Sequence, residues 1–447
     1  METSGGKNDL LKNVRITNVR LTNVRPRNAR FWLLLSFFVA GISWLYVHRI
    51  LVPWTSYLHL QNGYVIAQIS DLYSPWVGTR ELLLHHRNPY GPEVSHEIQM
   101  VFYGHPITQT YDKPGIALVD EQRFAYPVYE VFLTAPLAYV DFAQVHRWAP
   151  LVLGLLVALN IFFCVSILHW RLPWEAIAAI VLFTLSSPQI VQGLRLQQLA
   201  IVEACLLTAG AWCVSRNHAG SAGVLLALST IKPQMALLPL CWFAIWAAGD
   251  WRRRWRLPAS FIATIVALTV AGELLLPGWP RYFLAGLAAY RRYAMPTSAL
   301  RVALGDTFGE ILGGILVLGL LAYAWQNRKA AGDSRQFASI LASFFTCALL
   351  TFPLFTPFNQ VLLILPALLL LHHWKTLPRF SRLVFILLVS WPCIISLALL
   401  FFPPSTSSPN QLPLLPALLV AFVPFILPVM LITRSSHGSS PSREFVN

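Results

Sequence analysis

Asp71 stands in the run Tyr64-Val-Ile-Ala-Gln-Ile-Ser-Asp-Leu-Tyr-Ser-Pro-Trp, close behind a long apolar segment. A carboxylate at such a boundary touches both water and an apolar environment, which can tune it to take a proton from a hydroxyl group. The plainer reading is a surface aspartate just ahead of a helix. Ser74 followed by Pro75 predicts a helix cap and first turn. The helix is expected over about 75–86, with Trp76, Leu83 and Leu84 on one face, lying along a membrane surface and stopped by Asn88-Pro89-Tyr90-Gly91. Glu81 on this helix is the rival carboxylate, and Arg80 and Tyr90 are candidate substrate contacts.

Lys232 is the second unusual residue, in Leu226-Ala-Leu-Ser-Thr-Ile-Lys-Pro-Gln-Met-Ala-Leu-Leu. A lysine inside so apolar a run is costly and is either functional or snorkels to an interface. Pro233 breaks the helix beside it, so the ammonium can emerge at a surface and meet a phosphate. A third basic feature is the 277–304 stretch, read as a loop, with Arg281, Arg291, Arg292 and Arg301 among Tyr282, Tyr290 and Tyr293 and no acid. Arginine forks bind phosphate oxygens in pairs, and tyrosine suits a headgroup-level surface. Glu203 and Glu273 each fall near an expected helix end, where simple exposure accounts for them. His59, His85, His86, His96 and His105 share one polar stretch with carboxylates, but their spacing matches no zinc motif, and no metal or other cofactor is expected. Neither an Asp-x-Asp, a P-loop nor a dinucleotide fingerprint is present, so nothing indicates a nucleotide-sugar or ATP site.

The elements that must position these residues are transmembrane helices. Of 447 residues, 56% are hydrophobic and 12% charged, against roughly 25% charged in a soluble domain. Segments near 31–51, 149–168, 258–276, 305–325, 381–402 and 411–432 are apolar over about 20 residues, enough to cross a core of about 30 Å. The six cysteines all lie in apolar runs and read as small core residues. The first apolar stretch is longer than that of a cleavable signal and is read as a retained helix.

The net charge of +14 is not that of a nucleic-acid binder. It sits in short clusters beside helix ends: residues 1–30, Trp251–Arg256, Arg328 to Arg335, and Lys375 to Arg382. That placement marks cytoplasmic loops. The 54–125 stretch carries seven acids against four bases and is expected on the outer side, with a functional role.

Further helices are expected at 124–140, 175–187, 197–214, 219–231, 234–248, 337–353 and 358–373. The total of thirteen is odd, whereas basic residues at both termini require an even number. One short candidate is therefore re-entrant, interfacial or merged, with 124–140 and 219–231 the shortest for a span. The expected architecture is all-α and polytopic, with about twelve transmembrane helices. A basic cytoplasmic tail covers 1–30, a single membrane domain 31–433, and a second cytoplasmic tail 434–447.

The arrangement resembles the C-type (GT-C) glycosyltransferase superfamily, and within it glycosyltransferase family 87, the polyprenyl-phosphate-mannose-dependent mannosyltransferases. The resemblance rests on Ser70-Asp71 through Leu82-Leu83 to Asn88-Pro89-Tyr90, on Tyr126-Pro127 to Pro136-Leu137, and on Gln198 through Arg216 to Ala219-Gly220 and Ile231-Lys232-Pro233. It covers most of 64–250. Many members carry Gly-Gln where this chain has Gln197-Gln198, and many carry a histidine where it has Asn359-Gln360. The resemblance implies a catalytic acidic residue at Asp71, and Gln198 and Asn359 join the candidate substrate contacts.

Two functions fit this inventory. The first is an inverting transferase using a polyprenyl-phosphate sugar at the outer face of the plasma (inner) membrane. Asp71 would be its base, with Lys232 and the 281–301 arginines on the phosphate. Its partners would be that donor, a glycan or glycolipid acceptor, and membrane lipids. The second is a transporter or flippase of a lipid-linked glycan, which calls for charged residues at mid-membrane depth and internal repeats.

Overall fold

A computed structural model of the chain describes residues 26–61, 63–66, 70–107, 121–293, 298–352 and 356–401. Every regular element among these residues is helical. Helix α1 (Pro26–Tyr46) continues through a π-helical stretch, Val47–Leu51, into α2 (Val52–Gln61), well into the stretch expected as outer loop. Then come α3 (Tyr73–His85) and α4 (Pro92–Tyr103), and a 3₁₀ turn, Val128–Glu130, leading into α5 (Val131–Ala138). They are followed by α6 (Phe142–Ile167), α7 (Trp174–Leu185), α8 (Pro188–Arg195) and α9 (Ala200–Ser215). Next are α10 (Ala219–Leu228), α11 (Pro233–Gly249), α12 (Trp251–Arg254), α13 (Arg256–Leu275) and α14 (Trp279–Tyr293). The last are α15 (Ala299–Leu304), α16 (Asp306–Gln326), α17 (Arg335–Thr351), α18 (Ile364–His372) and α19 (Arg379–Phe401).

Among the described residues, four helices are long and apolar enough to cross a bilayer: the continuous Asn28–Gln61 segment, α6, α13 and α16. The α7–α8 pair, bent by 67°, makes a fifth if counted as one span. Six further apolar helices among the described residues are only 10–17 residues long, and α19 runs over 23. Prolines divide what the sequence shows as long apolar runs: Pro188, Pro233 and Pro357 each open a new element, because a proline fits a first turn and not a helix interior. Of the two short candidates, 124–140 is helical only over Val128–Ala138, and 219–231 is α10 with a 3₁₀ end, Ser229–Ile231. The 277–304 loop is instead largely helical, as α14 and α15. The 1–25 tail and the 411–432 run lie outside the described residues.

The core is aromatic and aliphatic. Trp242 and Phe243 of α11 meet Phe337 and Phe344 of α17, with the Trp242 ring 5.5 Å from Phe337 and 6.3 Å from Phe344. Helix α17 is buried along almost its whole length. Cys164, Cys205, Cys213 and Cys347 are buried free thiols and Cys241 is half-buried, in line with their reading as core residues. Helix α1 is seated on α7 and the turn after it by Ser36 Oγ to the Ala179 carbonyl (3.1 Å) and Ser43 Oγ to the Ser186 carbonyl (2.6 Å).

A helical cap, α3 to α5, sits over one end of the bundle. Thr79 and Thr134 share a hydrogen bond of 2.6 Å, and Trp76 Nε1 donates to the carbonyls of Leu137 (2.9 Å) and Val140 (3.1 Å). Gly78 lies against the Phe124 ring so closely that any side chain there would collide with it. Helix α3 starts at Tyr73, so Ser74 falls within its first turn and makes no cap bond. The helix ends at His86, in left-handed backbone, before the Asn88-Pro89-Tyr90-Gly91 turn. That turn instead starts α4, with Gly91 as cap and Pro92 in the first position.

Candidate active site

The α8–α9 turn builds the site. Gln197 takes left-handed backbone (φ 54°), rare for a residue with a side chain. Its Nε2 donates to the His146 carbonyl at 2.7 Å, and Gln198 N donates to the Gly193 carbonyl at 2.9 Å. Asp71 N donates to the Leu196 carbonyl at 3.0 Å, stitching the approach to α3 onto this turn. Beside it, Leu72 is buried with Val145 and Leu199.

The turn aims the Gln198 amide at two charged groups. Gln198 Nε2 donates to Asp71 Oδ2, and Lys232 Nζ donates to Gln198 Oε1 at 3.0 Å. The two partners fix the amide orientation, since a carboxylate must receive the N–H and an ammonium must give to the oxygen. Lys232 falls between the 3₁₀ turn after α10 and the proline that opens α11, in backbone that is neither helix nor strand. It is buried, and its ammonium lies 5.3 Å from the centre of the Phe358 ring. Phe358 and Asn359 stand on the 3₁₀ segment Pro357–Leu363, where Asn359 Nδ2 donates to Thr356 Oγ1 at 2.6 Å.

Two acids complete the surroundings. Glu203, in the first turn of α9, is 0% exposed, and neither carboxylate oxygen has a hydrogen-bond partner among the described residues. The expectation of an exposed residue near a helix end is therefore wrong, because the α8–α9 turn and the Pro357–Leu363 segment cover that end. Glu130, which the sequence reading passed over, is equally buried, and neither of its oxygens has a hydrogen-bond partner among the described residues. Its one signal was an ionisable group inside an apolar run. Glu273, by contrast, is exposed and accepts from Gly278 N at 2.7 Å.

Tyrosines link these acids. Tyr126 lies among Glu130, Asp71, Tyr290 and Glu203. Burial first, then those neighbours in that order, push its hydroxyl well above the usual phenol range. Tyr90 donates to the Tyr126 carbonyl at 2.5 Å and stacks on Tyr282 at 6.4 Å. Its hydroxyl is also raised, by burial and then Glu130. Both remain neutral at any working pH. Tyr129 is hydrogen-bonded to Thr230 Oγ1 at 2.9 Å, two residues before Lys232.

The remaining candidates divide. Arg281 is exposed on α14 and makes no ion pair among the described residues, whereas the side chains of Arg291 and Arg292, on the same helix, lie outside the description. Arg301 is already engaged: it pairs with Asp306 at 2.8 Å and Glu310 at 3.3 Å, acids just beyond the stretch read as basic. Arg80 donates to the Ala138 carbonyl at 3.2 Å and lies over the Trp76 ring, fastening α3 to the end of α5. Glu81 is buried and engaged, bonded to Arg87 at 2.7 Å and His85 at 2.9 Å.

Chemically, the site offers a half-buried carboxylate and a buried ammonium at the two ends of one amide. Such a set can take a proton from a hydroxyl on one side and hold an anionic leaving group on the other. A family model described as glycosyltransferase family 87 matches residues 124–357. No curated protein and no solved structure matches the chain. Gln198, Glu203 and Lys232 fall within the matched residues. Asp71 falls outside them, and the fold brings it onto Gln198.

Proposed function

Since the chain belongs to glycosyltransferase family 87, we propose that this membrane enzyme transfers a hexosyl group, mannosyl by family resemblance, from a polyprenyl-phosphate sugar. The acceptor is a glycan or glycolipid at the extracytoplasmic face of the plasma (inner) membrane. The observation that carries this reading is the Asp71–Gln198–Lys232 chain. The acceptor oxygen attacks the anomeric carbon from the face opposite the phosphate, its proton passes to Asp71, and the carbon–oxygen bond to phosphate breaks. The configuration inverts. The departing polyprenyl phosphate carries the electron pair, and its charge is met by Lys232, with Arg281, Arg291 and Arg292 of α14 nearer the headgroups. The phosphate is already a good leaving group, so no strong general acid is needed. Tyr90 and Asn359 supply neutral hydrogen-bonding groups beside the reacting ones.

In this reading both termini are cytoplasmic, and the short apolar helices complete a set of about twelve membrane passes. The family match supports transfer over the alternative of a transporter or flippase. The test is Asp71→Asn in proteoliposomes supplied with a polyprenyl-phosphate hexose. Loss of a general base typically lowers turnover by about 10²–10⁴-fold, and that loss is expected here with donor binding retained. Near-full turnover in Asp71→Asn, together with its loss in Glu81→Gln, would move the base to Glu81.

A further inference from the structure

Helix α8 (Pro188–Arg195) is sharply two-sided. Ile190, Val191 and Leu194 share one face, and Gln189, Gln192 and Arg195, each three residues from the last, share the other. Such a polar face normally meets water. Here no residue of α8 is exposed: Gln189 is 5% exposed, and Gln192 and Arg195 are half-buried. Neither glutamine amide makes a hydrogen bond among the described residues. Arg195 uses one of its five N–H donors, Nη2 giving to Thr55 Oγ1 of α2 at 2.5 Å, and makes no ion pair among the described residues. Thr55 is itself committed, donating to the Leu51 carbonyl at 2.7 Å. Polar groups left short of partners in a bent membrane element mark a cavity or a substrate path.

The position of this face selects the substrate. Arg195 is followed by Leu196, whose carbonyl receives Asp71 N at 3.0 Å, and then by Gln198, which donates to the Asp71 carboxylate. The polar face therefore ends at the base, whereas Lys232 stands at the other end of the Gln198 amide. Gly193 packs against Phe358 and Thr55 holds Arg195, so the Pro357–Leu363 segment and α2 border the face. An amide both gives and accepts hydrogen bonds, and a guanidinium gives two in one plane. Together they match the neighbouring hydroxyls of a sugar ring. An anion alone would engage Arg195 without calling for two amides beside it. We infer that the polar face of α8 is the acceptor subsite. Arg195, Gln192 and Gln189 hydrogen-bond the hydroxyls of the acceptor's terminal sugar and turn the reacting one toward Asp71.

This inference rests on the reading of Asp71 as the base, so the test separates the two. In nanodiscs free of glycoside detergent, binding of octyl mannoside, octyl glucoside and octyl galactoside is measured by calorimetry, with empty nanodiscs as the blank. Octyl triethylene glycol, which has the tail without the ring, is the reference. The wild type is expected to bind at least one hexoside about tenfold more tightly than the reference, the worth of one good hydrogen bond or more. Arg195→Ala and Gln192→Leu should each remove most of that preference. Thr55→Val breaks the bond to α2 but leaves the guanidinium in place, so it should keep the preference. No preference in the wild type overturns the inference, as does octyl phosphate bound through Arg195 more tightly than any hexoside. If Thr55→Val loses as much as Arg195→Ala while Gln192→Leu loses nothing, Arg195 is only a clasp on α2 and the inference falls. In proteoliposomes with a polyprenyl-phosphate hexose, Arg195→Ala should raise KM for the preferred hexoside about tenfold and leave the donor KM within about twofold. A rise in the donor KM alone would assign the face to the donor and overturn the inference. A ring preference that depends on α8, in an enzyme whose Asp71→Asn variant transfers at full rate, leaves the subsite standing and removes the base reading instead.

Discussion

Helix α11 carries a basic group just beyond each end, and the two are held in opposite ways. At its start Lys232, among the described residues, gives one hydrogen bond, to an amide, and faces a phenyl ring. Some 25 Å away, by the rise of 17 helical residues, Arg254 donates to the carbonyls of Trp246 (2.6 Å), Arg328 (2.8 Å) and Ala330 (2.9 Å). Its guanidinium also lies 4.0 Å over the Trp246 ring. Arg254 therefore ties the α11–α12 corner to the turn after α16. Gly249 and Gly332 help, since a side chain at either would run into that packing. In sequence Lys232 stood out as a lysine inside an apolar run, whereas Arg254 was one member of the basic cluster Trp251–Arg256 beside a helix end. What separates a structural cation from one that can take a ligand is the number of donors already engaged.

Removing Lys232 gives the largest effect in this comparison. Lys232→Ala is expected to lower donor use, as kcat/KM for a polyprenyl-phosphate sugar, by about 100-fold, since a hydrogen-bonded charge on a reacting phosphate contributes several kcal/mol. Its thermal unfolding should change far less. Unchanged donor kinetics in a folded variant would make Lys232 a snorkelling residue. Arg254→Ala should do the reverse. Hydrogen bonds from a charged donor contribute about 1.5–3 kcal/mol each and are not additive. For a half-exposed side chain a total near 2 kcal/mol is expected, seen as a lower melting temperature, with turnover per folded molecule intact. Arg252 and Arg253 are exposed neighbours, and alanine there should leave melting within experimental scatter. If all three arginines behave alike, the clamp is not what holds that corner.

The sequence made one end of α11 far more legible than the other. Lys232 stands out because a charge inside an apolar run is rare, Asp71 because it stands at the edge of one, and Gln198 through the family resemblance; the fold joins the three. Glu203 was misread because its burial depends on how the bent α7–α8 pair and the Pro357–Leu363 segment close over α9, which no local pattern encodes. The pairing of Arg301 was not legible because its partners, Asp306 and Glu310, lie on the next helix, brought back by the turn at Gly305, whose φ of 80° suits glycine. The helical, apolar character of the chain was plain from its runs. The division into short helices was not, since a proline reads equally as a kink or as the start of a new element.

Within the helical cap, the same contrast between engaged and available charge applies at a smaller scale to Glu81 and Asp71. Both are carboxylates near α3, yet Glu81 is buried and bonded to Arg87 and His85. Glu81→Gln keeps the shape and loses the charge, so it should cost about 1 kcal/mol, because Arg87 retains Glu97 at 3.1 Å and stays partly in water. Transfer activity at a temperature where the variant is folded should match the wild type. A large loss of turnover there would return Glu81 to the list of bases.

The smallest effect is expected at Arg301, and it sharpens the comparison because Arg281 is its control. Both arginines lie in the stretch 277–304 and both were candidates for the donor phosphate. Arg301 is engaged by Asp306 and Glu310, two exposed acids, so its pairs are screened by water and worth about 0–1 kcal/mol. Its charge is also matched locally, leaving little field for an incoming anion. Arg281 is exposed on α14 with no ion pair among the described residues, and an uncompensated surface cation attracts a phosphate over roughly a Debye length, about 8 Å at physiological salt. Arg301→Ala should therefore leave the affinity for a short-chain polyprenyl phosphate within about twofold at any salt concentration. Arg281→Ala should weaken it several-fold in low salt, with the difference fading as salt is raised. If Arg301→Ala shows the larger, salt-dependent loss, the pairing seen here opens when the donor binds, and α15 rather than α14 carries the phosphate contact.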